Sequence, residues 1–139
     1  MRVFKQLGQD AINIQNIIKN INKELLHARE SIDSSLLTKK LEHVSDTANT
    51  LFEFCMDMEF ILMNQESPDN HDFDTLSYLK DEFDVFKYTF FLVDEEVKGS
   101  QNMVLQYSVS YLISQLSFLR KEILKDLGKV ADEMRQKAA

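Results

Sequence analysis

Apolar residues recur along the chain at alternating spacings of three and four positions, the spacing that places side chains on one face of an α-helix. Four such series are present, and each is long enough for a complete helix. The first contains Phe4, Leu7, Ala11, Ile14, Ile18, Ile21, Leu25 and Ala28. The second contains Leu37, Leu41, Val44, Ala48, Leu51, Cys55, Met58 and Leu62. The third contains Leu76, Leu79, Phe83, Phe86, Phe90, Val93 and Val97. The fourth contains Leu105, Val109, Leu112, Leu116, Leu119 and Ile123, then, after a one-residue slip, Leu127, Val130 and Met134.

The breaks between these series carry residues that begin and end helices. Ser31, Asp33, Ser34 and Ser35 offer N-cap oxygens before the second series. The segment SPDNHDFD at 67–74 holds the single proline, and we expect Asp72 or Asp74 to cap the third helix. Gly99 and Ser100 suit the end of one helix and the start of the next.

These signals predict helices at about 2–30, 35–65, 73–98 and 101–136 within a single domain, 1–139. Short connections between helices favour antiparallel neighbours. We therefore predict an all-α, antiparallel, up-down-up-down four-helix bundle, about 40 Å long from the 1.5 Å rise per residue. Only three glycines and one proline in 139 residues leave little turn chemistry for a sheet.

Composition narrows the classes of function. The net charge of −7 and the pI near 4.9 argue against a general nucleic-acid-binding protein, which has a basic surface. No run of about 18 apolar residues is present, so we expect no membrane span. The start of the chain lacks the apolar segment of a signal peptide. Cys55 is the one cysteine, which excludes an internal disulfide and fits a cytoplasmic location.

A second set of apolar side chains lies outside the core series, and this set forms the candidate site. Three of the helices each carry an additional stripe rich in aromatic residues and methionine, which are enriched in protein interfaces. The first helix instead has Asn13, Asn16 and Asn20 outside, and we expect that face to meet solvent. The predicted interface residues are Phe52, Met56, Phe60, Met63, Tyr78, Val85, Phe91, Leu92, Tyr111 and Phe118.

The predicted function is therefore a non-enzymatic protein–protein interaction module that forms a homodimer, with a foreign protein as the alternative partner of the outer stripe. The roles open to it are adaptor, regulator, chaperone and immunity protein. The sequence provides no motif for a catalytic residue, a cofactor or a metal ion. Cys55 lies on a core series and is expected to be an inert, buried thiol. Glu59 has apolar neighbours at every helical contact position, and we expect it to be a structural carboxylate.

An enzymatic alternative rests on two acidic clusters. Glu53, Asp57 and Glu59 lie on the second helix, and the 81–84 segment of the third adds Asp81, Glu82 and Asp84. This arrangement is similar to the all-α nucleotide pyrophosphohydrolases, which hold magnesium between acidic residues of neighbouring helices. The paired Glu-x-x-Glu and Glu-x-x-Asp motifs of that family are missing at these positions.

Overall fold

The computed structural model describes residues 2–28 and 33–138, and nearly all of them are helical. The helices are α1 (Arg2–His27), α2 (Ser35–Met63), α3 (Asn70–Gly99) and α4 (Met103–Ala138). α1 packs against α2 and α4, and α3 packs against α4 and, less extensively, against α2. This cyclic arrangement confirms the predicted all-α four-helix bundle.

The first three apolar series are confirmed as the core. Every member is buried, and the three phenylalanines of α3 are among the largest fully buried side chains. Phe83 and Phe86 pack edge to face with ring centroids 5.2 Å apart, and Phe90 follows at 6.4 Å from Phe86. Phe54, which lies outside the predicted series, is also buried, so the apolar face of α2 is wider than predicted.

In α4 the predicted register is wrong over two turns. Leu112 and Leu119 are only partly buried, whereas Ile113 is buried with 7% of its surface exposed. The one-residue slip therefore falls between Val109 and Ile113, and the spacing of three and four continues from there to Met134. The sequence hides this register because one core-facing position, 120, is occupied by arginine.

Arg120 links α4 to α3 by hydrogen bonds to the backbone of α3. Its Nε donates to the carbonyl oxygen of Phe83 at 2.6 Å, and its Nη2 donates to the carbonyl oxygen of Asp84 at 2.9 Å. The same Nη2 lies 3.3 Å from the Asp84 carboxylate. Only 12% of the side chain is exposed. A planar guanidinium can make this fork of hydrogen bonds, whereas a lysine ammonium cannot reproduce its geometry.

The helix ends differ from the prediction at α3. This helix begins at Asn70 because Asp69, rather than Asp72 or Asp74, is its N-cap. The Asp69 carboxylate accepts from the backbone N–H of Asp72, and the Asp72 carboxylate accepts from the N–H of Asp69, both at 2.9 Å. This reciprocal pair is a capping box, with aspartate in place of the usual glutamate.

The start of α2 uses Asp33, one of the predicted residues, whereas the start of α4 uses Asn102 in place of Ser100. The side chain of Asp33 accepts from the backbone N–H of Ser35, and Asn102 Oδ1 accepts from the N–H of Leu105 near the start of α4. Gln65 and Gln101 take positive φ angles of 57° and 61° in the two described connections. Residues 29–32, which include the predicted end of the first helix and Ser31, lie outside the described part of the chain.

Two carboxylates are buried between α1 and α4. Asp10 is 3% exposed and Asp126 is 6% exposed. Asp10 accepts from Gln6 Nε2 at 2.9 Å, while Lys129 Nζ lies 3.5 Å from Asp126. Burial raises the pKa of Asp10 despite the Gln6 hydrogen bond, and the charges of Asp126 and Glu122 raise it further.

We expect Leu51→Ala or Phe86→Ala to lower the free energy of unfolding by about 2–5 kcal/mol, because each substitution leaves a cavity in a packed core. Asn16→Ala, on an outer face, is the matched control and should change stability little. Denaturant unfolding followed by circular dichroism measures all three. Equal losses for the outer and core substitutions would contradict the described register.

Arg120→Lys should lower the free energy of unfolding by about 1–2 kcal/mol, because lysine retains the charge but cannot donate to both α3 carbonyls. Lys121→Arg on the exposed side of the same helix is the control. An unchanged denaturation midpoint for Arg120→Lys would show that the charge alone, rather than the planar fork, joins the two helices.

Asp10→Asn should raise stability at neutral pH, because it removes a buried charge that faces two other acids. In the wild type, the folded-state pKa of Asp10 lies above its unfolded value near 3.8. Its stabilising contribution is therefore present below that value and is lost as the pH rises through the folded pKa. Thermal unfolding at pH 7 and pH 4 should show the advantage of the variant shrinking in acid, whereas exposed Asp81→Asn should show no such trend. A less stable Asp10→Asn at pH 7 would contradict this account.

Candidate protein interface

The ten predicted interface residues separate into two groups by burial. Phe52 and Leu92 are half-buried and pack against the core, so they contribute mainly to the bundle itself. The remaining eight are exposed, as their positions on the outer helix faces predict. These eight are Met56, Phe60, Met63, Tyr78, Val85, Phe91, Tyr111 and Phe118.

The exposed residues of α3 point to different sides of the bundle. Glu82 Oε2 lies 3.1 Å from Nε2 of His43 on α2, and Val85 follows it by three positions on that flank of the helix. Asp84 instead meets Arg120 of α4. Phe91 is seven residues beyond Asp84 and therefore lies on the flank facing α4. The predicted residues thus belong to more than one surface.

A group of exposed apolar side chains lies on the outer sides of α3 and α4, in the half of the bundle nearer the turn that joins them. We call it the α3–α4 face, and its five members are 63% to 81% exposed. They are Tyr88, Phe91, Met103, Tyr107 and Tyr111. Lys98, Gln106 and Ser110 complete an open depression of about 530 Å³ beside the last three.

Sequence reasoning missed Tyr88, Met103 and Tyr107. A usable signal was present, since Met103, Tyr107 and Tyr111 are spaced by four and therefore lie on one side of α4.

Charges on the α3–α4 face are paired within the molecule. Asp94 accepts from the hydroxyl of Ser110 at 2.6 Å and lies 2.9 Å from Lys98 Nζ. Burial alone would raise the pKa of Asp94, but these two partners hold it below its ordinary value. Lys87 lies over the ring of Tyr88 at 5.1 Å. The face therefore presents aromatic surface with cations and anions in balance.

A second exposed apolar surface lies on α2 at the opposite end of the bundle. We call it the α2 face; it consists of Met56, Phe60 and Met63, which are 59% to 70% exposed. An open groove of about 300 Å³ runs beside it, where Met56 and Glu59 of α2 meet Lys5 and Ile12 of α1.

The surroundings of the α2 face are acidic. Between Leu41 and Leu79 the chain contains nine Asp or Glu residues and no Lys or Arg. The sequence contains this acidic block, but the net charge of −7 for the whole chain does not reveal it, because most of the basic residues lie outside the block. The α2 face therefore combines apolar anchors with a negative field, unlike the balanced α3–α4 face.

Phe118 follows Tyr111 by seven residues on the outside of α4 and also borders a third surface, between α1 and α4. It borders an open groove of about 570 Å³ whose α1 wall carries Asn13, Asn16 and Asn20. Gln115 of α4 lines the same groove, and its Nε2 donates to the hydroxyl of Tyr111 at 3.1 Å. The asparagine face of α1 is thus one wall of a groove with mixed polar and apolar lining.

The acidic clusters of the enzymatic alternative diverge in the structure. Glu82 contacts His43 of α2, Asp84 contacts Arg120 of α4, and Glu53 and Asp57 are exposed on α2. Across residues 2–28 and 33–138, no three His, Cys, Asp or Glu side chains are grouped closely enough to hold a metal ion. Burial and the nearby Glu59 charge raise the pKa of the Cys55 thiol to about 12, so very little of the nucleophilic thiolate is present at neutral pH.

No protein-family model matches this chain, and no curated protein or solved structure is significantly similar to it. Within the described ranges, none of the helices combines the length and apolarity required to cross a bilayer.

Proposed function

We propose that this chain is a non-enzymatic protein–protein interaction module that forms a homodimer through the α3–α4 face. The observation that carries the proposal is the exposure of five large apolar side chains on adjacent flanks of two helices. Isolated exposed apolar residues are ordinary on protein surfaces, but a contiguous aromatic-rich patch marks an interaction site.

The size of the patch suits a second copy of the chain. An aromatic side chain offers about 200 Å² of surface, so five side chains at roughly two-thirds exposure give about 650 Å² per copy. A standard stable interface buries about 800 Å² per partner, and the remainder is supplied by the polar rim. In a two-fold dimer the same patch serves both partners.

The charge distribution also permits self-association at this face. Lys87 and Lys98 lie among Asp94 and Glu95, so a symmetric contact does not bring a block of like charges together. The net charge of −7 on each copy opposes association at long range, and this repulsion weakens as salt is added.

Such a dimer suits an adaptor, regulator, chaperone or immunity protein. We place it in the cytoplasm on the basis of its single, reduced cysteine. No specific observation in the structure favours the magnesium-dependent hydrolase, because the carboxylates it requires face different neighbours.

Tyr107→Glu and Phe91→Glu should each weaken the dimer by about thirtyfold or more, the effect expected when a charge replaces an interface anchor. Sedimentation equilibrium at tens of micromolar should show a wild-type dimer and largely monomeric, folded variants. Ser77→Glu is the matched control, since it adds the same charge to α3 at a position about 21 Å from Phe91, at 1.5 Å per residue.

Two outcomes would contradict this proposal. A monomeric wild type at these concentrations would exclude the homodimer. A Tyr107→Glu variant that has lost its helical circular dichroism would mean that this side chain belongs to the core of the monomer.

A further inference from the structure

We infer that the α2 face is a docking site for a basic amphipathic helix of another protein. The site is separate from the α3–α4 face and lies near the other end of the bundle, so the inference does not depend on the homodimer. It combines exposed apolar anchors at helical spacing with a long acidic approach along the same helix.

The anchors have the spacing used in helix-to-helix recognition. Met56, Phe60 and Met63 stand at positions i, i+4 and i+7 and so form a continuous stripe on the outside of α2. Phe60 is 65% exposed and has a methionine on either side along the stripe. Methionine side chains are flexible and polarisable, and they adapt to the side chains of an incoming helix.

Acidic residues continue the stripe toward the start of α2. Asp46 and Glu53 precede Phe60 by fourteen and seven residues, and Glu42 precedes Met56 by fourteen. Seven residues make close to two turns, or about 10 Å, so these carboxylates follow one another in line with the anchors. All three are exposed. A helix lying along α2 would thus meet apolar side chains at one end and anions at the other.

This charge pattern selects among possible occupants. A second copy docked in parallel by the same face would bring two acidic stripes together, and one docked antiparallel would set each acidic stripe against the apolar anchors of the other copy; both arrangements are costly. An anionic lipid surface is repelled because its charge has the same sign. A helix with lysine or arginine on its polar face is attracted by both parts of the site. The acidic stripe raises its rate of association, and contacts with the apolar anchors stabilise the complex.

Nearby cations leave this selection intact. Lys5 of α1 borders the groove beside Met56, on the flank toward α1, where Glu59 lies as well. His43 faces Glu82 of α3. Exposed Lys39, seven residues before Asp46, lies at the end of the acidic stripe that is farthest from the anchors. The line of Glu42, Asp46 and Glu53 is on the outside of α2.

The test uses a fluorescent, synthetic 18-residue peptide of leucine and lysine, with leucine at helical positions i, i+3, i+4 and i+7. Fluorescence anisotropy with the full chain should show binding that weakens as salt rises. Phe60→Ser and Glu53→Lys should each weaken it by about tenfold or more, because one removes the central anchor and the other reverses a facing charge. A peptide with glutamate in place of lysine should not bind.

Matched controls make the location of the site testable. Phe118→Ser removes a phenylalanine of similar exposure from α4, and Glu95→Lys reverses an exposed acid on α3; both should leave affinity within about twofold, as surface changes outside an interface do. The dimer-breaking Tyr107→Glu should bind the peptide as the wild type does.

Three results would overturn the inference. They are the absence of binding by the lysine peptide, equal binding of the glutamate peptide, and equal losses for Phe118→Ser and Phe60→Ser. Sedimentation of Phe60→Ser supplies a further check. If this substitution alone converts a wild-type dimer into a monomer, the α2 face belongs to the homodimer, and the docking inference fails while self-association stands.

Discussion

The simultaneous burial of one apolar stripe from each of four helices is the constraint on which this structure depends. Each stripe follows a spacing of three and four, so each helix can satisfy only one orientation toward the common core. On α3 the stripe is filled by a column of phenylalanines, with Phe83 and Phe86 in edge-to-face contact. Once these rings occupy the centre, the outward positions of every helix are determined, including those that form the two exposed apolar faces.

The sequence predicts the fold well because periodicity reports burial directly. It fails where a core position holds a polar residue. Arg120 occupies a position where the spacing requires an apolar side chain. Its burial is stabilised by hydrogen bonds to backbone carbonyl oxygens of α3, and such bonds cannot be predicted from the side chains of α3. The start of α3 was misplaced for a related reason, since several aspartates can cap a helix and only geometry selects Asp69.

The sequence predicts the exposure of eight of the ten candidate interface residues, but not how the exposed residues group into surfaces. A helical wheel separates inward from outward positions, which is why Phe60 and Tyr111 were correctly expected to be exposed. It does not reveal which neighbour lies on each flank. Contacts such as Glu82 with His43 and Asp84 with Arg120 supply that information, and they divide one presumed stripe into surfaces of different chemistry. One surface is charge-balanced and suits self-association, while the other is acidic and suits a cationic partner.

The reactivity of the single cysteine reports on the separation of α2 from the other helices. Cys55 is buried on α2, and the pKa of its thiol is raised to about 12 in the folded state. A thiol-directed reagent therefore reacts with Cys55 slowly in the folded state, and faster once α2 separates from its neighbours and the sulfur regains its ordinary acidity. Because the chain has no second cysteine, the rate of modification measures this opening at one position. An occupant of the α2 face, close to Cys55 along the helix, would slow that rate and make binding visible without any added label.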